Sequence, residues 1–143
     1  MNMKIFLISS ILLLNAVFIF AQDKSTNQFT PGKIWLDNTG AHINAHGGGI
    51  LFHNKMYYWF GEHKVAGDAG NKAMVGVHVY SSKNLTQWKD EGIALSVVDD
   101  TASLLVKGCI IERPKVIYNK KTKTFVMWFH HELKGQGYKA ALT

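Results

Sequence analysis

The chain has 143 residues, a formal charge of +6 and a single cysteine, Cys109, so an internal disulfide is excluded and stability must come from a packed core. The 16 Lys and Arg residues are scattered; the only basic run, 119–123, sits where a hairpin turn is expected, which argues against a nucleic-acid surface.

Residues 1–21 read as a secretory signal peptide. Lys4 supplies the positive start, 5–20 is apolar apart from Ser9, Ser10 and Asn15, and Ala21 offers a small residue for cleavage. An uncleaved anchor would need about 20 apolar residues, so the expectation is export, into the periplasm or medium, with no membrane insertion after cleavage. Residues 22–143 then carry a charge of +5.

Short runs rich in aromatic and β-branched residues follow at 50–53, 56–60, 75–81, 114–118, 124–130 and 138–142, separated by clusters of Gly, Asn, Lys and Asp. They read as strands and turns, and no window shows a helical stripe. The segment 50–60 resembles 116–129: both are strand, turn, strand, offset by 66 residues at the first strand and by 69 between Trp59 and Trp128. Antiparallel repeats of that size point to propeller blades, which bury both faces only when neighbours pack on them. A propeller closes with at least about four blades, so the expected fold is all-β, about two blades at the N-terminal end of a longer propeller. A self-contained β-sandwich of about 120 residues is the alternative.

Four stretches carry a family resemblance: Trp35 to Gly49 with its Ala-His-Gly-Gly-Gly block, Tyr57-Tyr-Trp-Phe-Gly-Glu62, the Tyr80-Ser-Ser-Lys-Asn-Leu-Thr-Gln-Trp88 element, and Ile111-Glu-Arg-Pro-Lys-Val-Ile-Tyr118. Together they resemble the start of a glycoside hydrolase of family 43, in the branch of exo-β-1,3-galactanases. The resemblance implies a five-bladed propeller with a sugar site at its axis and an inverting hydrolysis, in which one carboxylic acid protonates the leaving oxygen and a base activates water. Members usually carry the base, an Asp, where this chain has Gly47 and Gly48; the galactanase-like branch also lacks it. A non-catalytic carbohydrate-binding propeller is therefore the alternative.

By the same resemblance Glu112 is the catalytic carboxylate that orients the general acid and raises its pKa through like-charge proximity. Glu62 would contact the terminal galactose-like ring and Tyr138 would line that subsite. His46 is read, apart from the resemblance, as lining the pocket and hydrogen-bonding a hydroxyl, with a structural histidine near the axis as the alternative. Gly47, Gly48 and Gly49 would let substrate or the adjacent blade approach the backbone. Seven histidines show no zinc-like spacing, so neither a metal nor any other cofactor is expected. Trp59 and Trp128, at matching repeat positions, are expected between blades, and Trp35 in the core. Asn84-Leu-Thr86 fits a glycosylation acceptor but reads as a turn. The expected partner is an oligo- or polysaccharide, bound by a monomer whose acid and base come from later residues.

Overall fold

A computed structural model describes Gln28, residues 30–137 and the backbone of Ala141 and Leu142. The signal-peptide segment 1–21 and Tyr138 lie outside the described residues.

The first sheet is a four-stranded antiparallel meander, β1 (His46–His53), β2 (Met56–Lys64), β3 (Met74–Ser82) and β4 (Lys89–Ser96), in the order of the chain. A two-residue turn joins β1 to β2, with Asn54 at φ 49° and Lys55 at φ 63°. Two consecutive left-handed residues match the twist of the flanking strands. A single 3-10 turn, Gly70–Ala73, interrupts the path from β2 to β3. β4 has one β-branched residue, Ile93, and owes its extended form to pairing with β3 rather than to propensity. The second sheet holds β5 (Ile110–Asn119), β6 (Thr124–Glu132) and β7 (Ala141–Leu142).

Strand alternation divides the apolar residues between two cores. On one face of the first sheet, Tyr80 and Trp88 pack with Ile43, Ala45, Trp35, Tyr57 and Trp59. Its other face meets the second sheet through Val77, Met74, Phe60, Cys109, Ile111, Met127 and Phe129. The two sheets thus pack as consecutive blades. Burial of Cys109 pushes its thiol pKa up, as befits a core residue.

The repeat is structural as well as sequential, with one correction. In the first blade His46 pairs with Glu62 and Gly49 with Phe60, across a register shift. In the second, Glu112 pairs with His130 and Lys115 with Trp128, across the same shift. Trp128 therefore matches Phe60, not Trp59, because the second turn is longer by two residues rather than three. One residue of slip exchanges the faces of a strand. Trp59 packs against the first core. That core lies on the face of the sheet turned away from the second blade, and Trp128, on the opposite side of its strand, is 55% exposed, so neither tryptophan lies between the two described blades as expected.

Candidate active site

The site grows from the two bulged strand starts. In the first blade the bulge holds Gly47 at φ 53°; in the second it holds Arg113 at φ 54°. That left-handed conformation costs an L-residue roughly 1–2 kcal/mol. At Arg113 it turns the backbone N–H toward β2, where it donates to Glu62 Oε1 at 2.9 Å.

Each of the three glycines has its own reason. A Cβ on Gly47 would lie 2.5 Å from Glu62 Oε1, so the position is closed by both dihedral and space. A Cβ on Gly48 would overlap the carbonyl oxygen of Phe60, whereas at Gly49 only the flexible Lys115 side chain would have to yield. Lys115 Nζ donates to the carbonyls of Gly48 at 2.6 Å and Gly47 at 3.4 Å, joining the two inner strands.

Glu62 and Glu112 are both buried, at 4% and 8% exposure. Buried carboxylates need partners, and theirs form one chain. Glu62 Oε2 lies 2.8 Å from Lys64 Nζ. Lys64 Nζ donates to Asn71 Oδ1 at 2.7 Å, and Asn71 Nδ2 donates to Glu112 Oε1 at 2.8 Å. Neither is the solvent-facing Glu of an ordinary strand end. His46 stands opposite Glu62 and is exposed, at the position in its blade that Glu112 holds in the next.

Two groups emerge that the sequence did not single out. Glu132, 3% exposed, bonds through Oε1 to His130 Nε2 at 2.9 Å. Side-chain donors of Glu112, His130 and Glu132 all lie within 4.8 Å of one another. Such a set could hold a cation, but the hydrogen bonds of Glu112 and Glu132 already account for their burial. The i, i+2 spacing of His130 and Glu132 puts both on one face; recognising their proximity to Glu112 needed the hairpin register. His42 and His46 do not belong to this group.

A second cluster lies on β2 to β4. His63 Nδ1 meets His78 Nδ1 at 2.9 Å, and His78 Nε2 meets Asp90 Oδ1 at 2.7 Å. A neutral His78 that donates from Nε2 to the carboxylate accepts at Nδ1, which His63 Nδ1 and the Tyr80 hydroxyl, at 3.2 Å, both meet. Burial, reinforced by the neighbouring His78, lowers the pKa of His63. The hydrogen bond from His78 lowers that of Asp90 despite its burial.

A cavity of about 700 Å³ lies away from these carboxylates and is lined by Trp35, Asp37, Ser82, Asn84 and Trp88 among others. It is a poor sugar platform. Trp35 packs on Trp59 at 5.5 Å and on Trp88 at 6.2 Å, with Nε1 donating to the Thr86 carbonyl at 3.1 Å. Asn84 Oδ1 accepts from the N–H groups of Thr86 and Gln87, so the acceptor-like tripeptide is built into a turn.

Three solved structures compare closely. A β-1,3-galactosidase of glycoside hydrolase family 43, with galactodeoxynojirimycin, is 58% identical over 76% of this chain and 31% of its own, at a TM-score of 0.68. An exo-β-1,3-galactanase from Clostridium thermocellum is 41% identical over 73% of this chain and 21% of its own, at 0.63. One from Phanerochaete chrysosporium, with galactose, is 36% identical over 80% and 26%, at 0.70. The chain thus spans a third or less of the length of each. No family model and no curated protein matches it.

Proposed function

The chain belongs to glycoside hydrolase family 43, and from that premise we propose that it forms the first two blades of a secreted exo-acting enzyme. That enzyme removes β-linked galactose-like units from plant-type glycans with inversion. The observation that carries the reading is the pair of buried carboxylates, Glu62 and Glu112, held beside the glycine loop by one hydrogen-bonded chain.

Inversion needs an acid on the leaving oxygen and a base on the opposite side of the ring, their carboxyl groups about 6.5–9.5 Å apart. At Gly47 a side chain would meet the Glu62 carboxylate, so the place of the usual base Asp carries no carboxyl here, and base and acid are assigned to later blades of the enzyme. Glu112 orients the acid and keeps it protonated by like-charge repulsion. Glu62 and His46 bind sugar hydroxyls, and Tyr138 is assigned to the same subsite by family resemblance alone. The protein needs no cofactor and works as a monomer.

In the whole enzyme, Glu112→Gln should lower turnover on β-1,3-galactan about 100-fold or more, as for loss of a positioned carboxylate; near-normal turnover would overturn the assignment. The closed Gly47 position also favours a second reading, a propeller that binds galactan without cleaving it. Tight oligosaccharide binding with no release of galactose would establish that reading instead.

A further inference from the structure

We propose that Asn71 is a positioning residue that sets Glu62 and Glu112 together, so that one exposed amide couples both carboxylates of the sugar site. The inference rests on the reading of those two as sugar-facing groups.

Asn71 lies in the 3-10 turn Gly70–Ala73, on the excursion between β2 and β3. Val65 N–H donates to the Ala73 carbonyl at 3.0 Å, and Ala73 is buried, so both ends of the excursion are fastened. Gly70, at φ 54°, supplies the left-handed residue that begins the turn. From there the side chain crosses from the first blade to Glu112 in the second.

An amide suits this place because it has a donating and an accepting end. Lys64 Nζ offers only donors and an ionised Glu112 only acceptors. Oδ1 must therefore face Lys64 and Nδ2 must face Glu112; the flipped amide would oppose like ends. A carboxylate at 71 would repel Glu112, and an apolar residue would release both partners. The far end of the chain is equally fixed: Asn44 clamps the Lys64 backbone with bonds of 2.8 and 3.1 Å, at the register shift between His63 and Lys64. Lys64 thereby aims at Glu62 and Asn71 at once.

Asn71 is itself exposed, but it donates to the buried Glu112, so a change there costs some stability as well as activity, and catalysis is read well below the unfolding midpoint of each variant. The test uses the whole enzyme carrying Asn71→Asp, Asn71→Ala, Glu112→Gln and the double variant Asn71→Asp/Glu112→Gln. Asn71→Asp should lower kcat/KM on β-1,3-galactan about tenfold or more. It should also move the acid limb of the pH profile to higher pH, since a carboxylate that loses a donor and gains a charged neighbour is harder to ionise. Asn71→Ala should lower kcat/KM similarly with a smaller displacement of that limb. The pH-profile shift of Asn71→Asp, recorded while both variants remain folded, is the readout that a loss of stability alone would not produce. In the Glu112→Gln background the Asn71 change should add less than about twofold, as for residues acting through one group.

A superimposable pH profile with kcat/KM within about twofold for Asn71→Asp would overturn the inference while a dead Glu112→Gln left the active-site reading standing. So would an undiminished Asn71 effect in the Glu112→Gln background. An active Glu112→Gln would instead remove the reading of the site, and the inference with it.

Discussion

The two blades use the same backbone device and fill it differently. Both inner strands begin with a bulge whose second residue lies near φ 53–54°, but that residue is Gly47 in one and Arg113 in the other. The difference is in the surroundings, not in the dihedral. Gly47 has the Glu62 carboxylate where a side chain would start. Arg113 meets the same carboxylate with its backbone N–H. A hydrogen bond to a charged acceptor is worth about 1.5–3 kcal/mol, enough to offset left-handed strain of roughly 1–2 kcal/mol. A bulge therefore requires glycine only where space as well as dihedral demands it.

The comparison breaks most visibly at Gly47. Gly47→Ala combines the dihedral penalty with displacement of Glu62, and should destabilise the protein by about 2–4 kcal/mol. Chemical denaturation measures this; a loss under about 1 kcal/mol would mean that the carboxylate moves aside freely.

A smaller effect should appear in pH dependence. His63, packed near His78, Asp90 and His46, has a folded pKa below its usual 6.5 because of burial and then of His78. The folded state binds this proton more weakly than the unfolded one. The resulting stability is complete above the unfolded value and is lost as pH falls through it toward the folded value. Unfolding midpoints recorded from pH 8 down to pH 5 should decline for the parent more than for His63→Gln; parallel curves would sink the assignment. Since these histidines belong to the first blade, changes confined to the second should leave the decline in place.

The smallest effect is expected at the matched position. Arg113→Gly relieves left-handed strain but loosens the unfolded chain by about 0.4–1 kcal/mol, and it keeps the N–H that serves Glu62. Stability should change by less than about 1 kcal/mol, and a large loss would show that the Arg113 side chain, not its backbone, holds the blades together.

Part of the candidate site was legible in the chain: Glu62 lies near the end of the aromatic strand β2, Glu112 lies near the start of β5, the repeat of β1, and both are buried beside the glycine loop. Asn71 was not legible, since the polar stretch 65–73 has no periodicity and its partner is Glu112, distant in sequence. Glu132 was missed because its proximity to Glu112 depends on hairpin pairing. Trp128 was misplaced by a single residue of turn length, which is enough to exchange the faces of a strand.

Alternating side chains, turn residues and a repeated hairpin act over a few residues, so the sequence by itself determined most of the strands, the two-blade plan and which strand ends carry carboxylates. It did not determine β4 (Lys89–Ser96), which only pairing with β3 makes extended. Which face meets which neighbour, and which amide or ammonium satisfies each buried charge, came only from the tertiary structure. Those choices depend on register and on groups brought together across the blades, and burial penalises an unpaired charge too strongly for them to be left open.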